Sequence, residues 1–294
     1  MTTTTTPSRD SEKATELMEA LTTEVEALRT SEGWMAWLRY AAQFHNYSLG
    51  NQLLIQWQCP HATQVTGYGA KDGSTGWLKL GRQVRKGERA IHILAPKTRW
   101  VTRENKDGEE ERVKIVSGFR TVAVFDVSQT DGDELPKGPG TLWTEAVAAI
   151  AAEHPGEADQ VRYDTLEAAA EALGFTVVRE AAAAPGEALG WWPRGSQSLH
   201  VCEGDPRTMA ATLAHEMSHA LDPEIGTCDY ATGELVAESS AHIVSAVLGL
   251  DTTPVSTAYL AGWSKGADSL RLVAERALKI ANQIINATGI EEAA

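Results

Sequence analysis

Apolar residues recur at helical spacing through the first part of the chain. Leu17, Leu21, Val25 and Leu28 fall on one face and predict a helix over 11–30. Gly33 interrupts, and Trp37, Ala41 and Phe44 carry a second helical stripe. Asn46 or Ser48 can cap a third helix through Asn51, Leu53 and Trp57, stopped by Pro60. From Val65 the texture changes. Glycines punctuate short runs, and residues 76–80 and 89–94 alternate apolar and polar as strands do. Residues 113–127 are rich in β-branched side chains and predict another strand, with the polar stretch 102–111 as a hairpin tip or loop.

Residues 1–10 form a polar, Thr-rich leader expected to lack order. Gly132, Pro136, Gly138, Pro139 and Gly140 make 131–140 the expected linker. Beyond it the chain turns Ala- and Glu-rich. Helices are predicted over 141–153, 164–173, 206–221, 233–250 and 265–287, with a strand or two between Phe175 and Cys202. The pattern is that of an α+β chain. Helices precede an antiparallel sheet in an N-terminal domain over 11–130. A C-terminal domain over 141–294 is mostly helical with a small sheet.

Composition narrows the setting. The 294 residues suffice for two domains, and 43% hydrophobic content excludes a largely disordered chain. A net charge of -14 argues against a uniformly basic nucleic-acid coat. Cys59, Cys202 and Cys228 are odd in number and far apart, so no disulfide framework is expected and a reducing compartment follows. The leader has no apolar stretch behind it and no run reaches 18 apolar residues. The expectation is a cytoplasmic protein without a membrane span.

The sharpest chemical signal is His215-Glu216-Met217-Ser218-His219. Histidines four apart on a helix share a face and can reach one ion. Glu216 projects beside that face, placed to accept a proton from water. Asp205 as cap, Pro206 in the first turn and the stripe Met209, Leu213, Met217, Leu221 make the helix credible. A catalytic zinc site takes three protein ligands and leaves one position open. The next helix offers Glu234 and Glu238, again four apart. Glu238, among Val236, Ala237, Ala241 and Val244, is the favoured third ligand because a carboxylate on a buried face needs a partner. Glu234 is the alternative, and Asp222 can be a ligand or can hold a His ring. Tyr230, between the two helices, is a candidate donor to a developing oxyanion. Trp191 or Trp192, ahead of the metal helix, can shape a groove for extended substrate.

His215 to Leu221 (HEMSHAL) followed by Glu234 to Ala241 (ELVAESSA) resembles the zincin domain of ArdC-type antirestriction proteins, and more distantly the ImmA/IrrE metallopeptidases. The runs NYSLGN (Asn46 to Asn51), GWLKLGRQVRKGERA (Gly76 to Ala90) and VFDVSQT (Val124 to Thr130) resemble the N-terminal domain of the same family. The resemblance implies Zn²⁺ held by two His and one Glu, with Glu216 as general base acting on a protein or peptide substrate. It also implies an N-terminal domain that binds single-stranded DNA, and a role in protecting plasmid or phage DNA from restriction.

The N-terminal charge pattern agrees with that implication. Between Arg39 and Trp100 nine cations face only Asp72 and Glu88, a local footprint suited to nucleic acid. Lys79, Arg82, Arg85, Lys86 and Arg89 cluster in one basic turn, and Trp77 and Tyr47 are candidate stacking rings beside them. Trp34, Trp37, Phe119 and Phe125 are expected in the core.

Overall fold

The computed structural model describes residues 9–69, 76–104, 110–137, 139–250 and 266–290. Its helices, in chain order, are α1 (Arg9–Ala27), α2 (Ser31–Gln43), α3 (Leu49–Gln58), α4 (Pro139–Glu153), α5 (Pro155–Ala172), α6 (Pro206–Leu221), α7 (Tyr230–Val247) and α8 (Ala267–Thr288). The strands are β1 (Val65–Thr66), β2 (Arg82–Val84), β3 (Ile91–Glu104), β4 (Glu110–Asp126), β5 (Thr130–Gly132), β6 (Thr176–Glu180), β7 (Gly190–Trp191) and β8 (Ser198–Cys202). The chain is α+β. Residues 1–8 of the expected leader lie outside the described residues, while Arg9 and Asp10 already belong to α1.

Two compact units form, one from residues 1–24 and 50–134, the other from 25–49 and 135–294. The later break falls inside the expected linker. Residues 25–49, assigned by sequence to the N-terminal domain, pack instead with the C-terminal residues. The cause is burial. Trp34 and Trp37 are fully enclosed, and the Trp34 indole N–H donates to Ser239 Oγ on α7 at 3.2 Å. His45 and Asn282 on α8 are joined twice, through Nδ1 to Oδ1 at 2.9 Å and through Asn282 Nδ2 donating to the His45 carbonyl at 2.8 Å.

In the first unit, β4 pairs antiparallel with β3 on one side and with the short β1 on the other. This leaves β3 as an edge, and exposed edges invite stray pairing. Side chains of α3 cover its first residues. Asn51 pairs with both backbone groups of Leu94, at 3.0 and 2.9 Å, and Gln58 does the same at His92, at 2.8 and 2.9 Å. Residues seven apart on the helix thereby serve residues two apart on the strand. At the far end of β4 the Asp126 carboxylate accepts from the amides of Thr63 (2.7 Å), Gln64 (3.0 Å) and Ser128 (2.9 Å). Gln129 accepts from the Asp126 amide at 2.9 Å, closing a capping box. The VFDVSQT run is thus a structural corner.

The alternation in 76–80 does not yield a strand. Trp77–Leu80 is a single 3-10 turn. Gly81, at φ 72°, ends it in the left-handed region that glycine enters freely. Trp77 is enclosed, and its indole N–H donates to the Phe125 carbonyl at 2.9 Å. Burial of one ring outweighs the local alternation.

In the second unit a three-stranded sheet runs β6-β8-β7, with β6 parallel and β7 antiparallel to β8. It flanks α6, which packs between α5 and α7. Asp159 on α5 takes Arg162 and, at 3.2 Å, Arg207 of α6, while Arg162 Nε donates to the Leu248 carbonyl just past α7 at 3.0 Å. Ser240 of α7 donates to the Ala277 carbonyl on α8 at 3.1 Å. The helices that carry the site are therefore fixed at several points along their length.

Candidate metal centre

The α6 helix begins where the sequence predicts. Asp205 accepts from the Thr208 amide at 3.1 Å, Pro206 opens the first turn, and Met209, Leu213 and Met217 face the core. That phase turns His215 and His219 toward α7, whose own cap is Asp229 accepting from the Thr232 amide at 3.0 Å. The Nε2 atoms of the two histidines stand 3.0 Å apart. One Glu234 oxygen lies 3.6 Å from His215 Nε2 and the other 3.5 Å from His219 Nε2. Among the described residues this is the one group of three possible metal-ligating side chains whose donor atoms lie within 4.8 Å of one another. Ligands about 2.0–2.1 Å from a tetrahedral ion are ~3.3 Å from each other, so the three separations suit a shared divalent cation.

The favoured third ligand, Glu238, is not the carboxylate that meets the Nε2 atoms. Its Oε1 stands 4.0 Å from His215 Nδ1, behind the ring. A carboxylate on that side favours the tautomer whose Nε2 lone pair points into the site. Glu234 and Glu238 share a helical face, so the choice depends on the axial offset of α7 against α6, which spacing does not encode. Asp222, at the end of α6, is buried and faces Arg276 Nε at 3.0 Å. It acts on His219 through its charge.

Burial favours the neutral form of both imidazoles and of the neighbouring carboxyl. Burial, then the His219 charge, brings His215 down to about 4. Burial also lowers His219, against the opposing pull of Glu234 and Asp222. Burial, then repulsion from Glu234, raises Glu216 to about 7, and the Trp192 backbone N–H donating to its carboxylate partly counters this. Neutral imidazoles are the ligand form.

Strand β7 lies directly on α6. A Cβ at Gly190 would stand 2.5 Å from Thr212 Cγ2 and 3.5 Å from Glu216 Cγ, so only glycine permits this approach. A cavity of about 390 Å³ opens beside it, lined by Trp192, Arg194, Glu216, His219, Tyr230 and Glu234. Tyr230 stands at its rim, 76% exposed. Trp191 turns instead onto His200, with ring centroids 4.9 Å apart. Sequence reasoning missed Arg194, which donates to the Ile225 carbonyl at 3.1 Å and packs over Gly226. No local pattern marks it, because its role arises from two loops meeting.

The expected DNA-contacting residues differ in exposure and in partners. Trp77 is 0% exposed and cannot stack a base. Tyr47 is half-buried beside Phe44, in the second unit. Arg82 donates to Thr130 Oγ1 at 2.8 Å and to the carbonyls of Thr130, Gly132 and Asp133. Arg85 is bound by Glu88, Asp131 and the Ser128 carbonyl. Both arginines fasten the β2–β5 pair. Lys79, Lys86 and Arg89 are exposed. Phe119, expected in the core, is 57% exposed on β4.

Fold and site together define a two-unit α+β chain with an H-E-x-x-H helix facing a carboxylate-bearing helix. Residues 11–125 match the family described as the N-terminal domain of anti-restriction factor ArdC. The uncharacterized protein pXO2-81 of Bacillus anthracis is 23% identical over 293 residues, covering 88% of this chain and 48% of that protein. The chain thus spans about half the length of that curated relative. The crystal structure of antirestriction ArdC from plasmid R388 in metal-free form is 22% identical, with a TM-score of 0.47, covering 82% of this chain and 84% of that one. The Mn(II)-bound structure of the R388 protein is 19% identical, with a TM-score of 0.43, covering 86% and 96%. Among the described residues no helix is long and apolar enough to cross a membrane.

Proposed function

We propose that this chain is an antirestriction-type protein of a mobile element, acting in the cytoplasm. In this reading its N-terminal unit binds single-stranded DNA, and its C-terminal unit holds Zn²⁺ on His215, His219 and Glu234 for amide hydrolysis of a protein or peptide. The observation that carries the metal reading is the convergence of two imidazole Nε2 atoms, 3.0 Å apart, with both oxygens of Glu234 at 3.5–3.6 Å. Two nitrogens and a carboxylate are a donor set that zinc accepts while keeping a fourth position open. Bound there, Zn²⁺ supplies the Lewis acidity that polarises a scissile carbonyl.

The protein's own groups account for the remaining work. Glu216, oriented by the Trp192 N–H, takes the proton of the attacking water and passes it to the leaving amine. Tyr230, at the cavity rim, can donate a hydrogen bond to the carbonyl oxygen as charge develops on it. The edge strand β7 offers backbone groups to an extended chain laid beside Glu216. The DNA reading rests on the ArdC N-terminal domain match together with the local cation excess.

Elemental analysis of purified protein tests the site. Stoichiometric zinc is expected in the wild type and in Glu216→Gln, and its absence from both would refute the metal reading. Glu216→Gln also divides the roles. Loss of peptide cleavage with retained protection of incoming DNA would place protection in DNA binding, whereas loss of both would make hydrolysis the effector step.

A further inference from the structure

The β3–β4 ribbon is longer than the first unit needs. Its strands hold 14 and 17 residues. The Asn51 and Gln58 amides of α3 hold β3 at Leu94 and His92, and β1 pairs with β4 at Phe125 and Asp126. Beyond Ala95 and Arg120 the two strands pair with each other alone, in register from Pro96↔Phe119 to Glu104↔Glu110, with one shift between Lys97 and Thr98. At ~3.3 Å per residue this is an arm on the order of 25–30 Å long. A lone two-stranded ribbon is marginal in water, so a binding partner would explain its length.

Alternation puts Thr98, Trp100 and Thr102 of β3 on the same face as Arg112, Lys114 and Val116 of β4, with Lys114 directly opposite Trp100. Trp100 is 58% exposed, and the Arg112 guanidinium lies 5.7 Å from its ring centroid. Among the described residues no ion pair engages Arg112 or Lys114. They differ in this from Arg82 and Arg85, whose donors serve the fold.

We infer that the outer half of this ribbon is a single-strand contact, with Trp100 stacking a base while Arg112 and Lys114 meet the flanking phosphates. The inference rests on the single-stranded DNA reading above and assigns it a surface. Polyanion is the occupant that the charge selects: this end of the ribbon carries Lys97, Arg99, Arg103, Arg112 and Lys114 against Glu104, Glu110 and Glu111, the first and second of these acids at the tip of the same face, on a chain of net charge -14. The exposed ring selects a polyanion with unstacked bases, because stacking of this kind needs a free π-face.

Fluorescence anisotropy of a labelled oligothymidylate with the full-length protein tests this, between about 50 and 200 mM salt. Trp100→Ala is expected to weaken binding at least fivefold, with Trp100→Phe restoring most of it. Arg112→Ser with Lys114→Ser should flatten the log–log salt slope by about 1.4, at ~0.7 per phosphate contact on a single strand. These exposed positions leave the fold intact, which unchanged thermal melting confirms. Wild-type binding that all three variants retain would overturn the arm assignment and leave the DNA reading standing. No wild-type binding at all would sink both. Competition by polyglutamate equal to that by the oligonucleotide would identify an acidic protein surface as the partner and refute the inference.

Discussion

The indole N–H of Trp34, near the start of α2, donates to the hydroxyl of Ser239 in the middle of α7, 3.2 Å away and 205 residues along the chain. Ser239 follows Glu238 directly and lies five residues after Glu234. The bond therefore helps set the rotation of the helix that presents both carboxylates. Trp34→Phe keeps most of the packing but leaves the buried Ser239 hydroxyl without this donor, which costs about 1–3 kcal/mol. Urea denaturation should show that loss, and adding Ser239→Ala should recover part of it. Equal stability of Trp34→Phe and wild type would show that the bond does not matter.

Glu234 and Glu238 are expected to separate cleanly in metal binding. Glu234→Ala removes the carboxylate facing both Nε2 atoms, so zinc should fall well below one equivalent per chain. Glu238→Ala removes only the group behind His215. Stoichiometry should survive, with affinity lower by roughly 10–100-fold. Competition against a chromogenic chelator reads both quantities, and the reverse order would restore Glu238 as the ligand.

Asp126 supplies a pH dependence that has nothing to do with the metal. Burial pushes its carboxyl up, but donors from Ser128, Thr63 and Gln64 more than offset this and hold it below 3.8. Its contribution to stability is complete above the unfolded value near 3.8 and disappears as pH falls through the lower folded value. Asp126→Asn should cost about 1–3 kcal/mol at neutral pH. The gap from wild type should shrink steadily below pH ~4. Amide exchange at Thr63 and Gln64 follows it directly, and a gap independent of pH would remove the charge from the explanation.

Gly226 should not accept a side chain. Its φ of 80° is left-handed, and an added Cβ would overlap the Arg194 guanidinium. Gly226→Ala is expected to cost about 1–3 kcal/mol through backbone strain and to displace Arg194 from the Ile225 carbonyl. Since both residues line the cavity beside Glu216, the fluorescence of Trp192, which shares that cavity, should shift. An unchanged melting temperature and spectrum would contradict the close packing.

Local rules were enough for much of this molecule. Helix α6 spans the residues its cap, proline and apolar stripe predict, because each signal acts within one or two turns. The pairing of His215 with His219 follows from helical geometry alone. Of the polar stretch 102–111, expected as a tip or loop, residues 102–104 and 110–111 are paired strand and 105–109 lie outside the described residues. Where a side chain has two possible environments, sequence stopped short. Glu234 and Glu238 are equivalent on their own helix, and only the offset of α7 against α6 distinguishes them. The alternation at 76–80 was outvoted by burial of Trp77, while Trp100 and Phe119, similar in kind, stayed outside on an arm. Arg82 and Arg85 look like free cations in a basic turn until the carbonyls of β5 and its neighbours arrive to bind them. The sequence by itself determined the helical phase that brings two histidines onto one face, because that depends on backbone geometry. Tertiary packing decided which carboxylate joins them and which rings face water, because those depend on contacts between segments far apart in the chain.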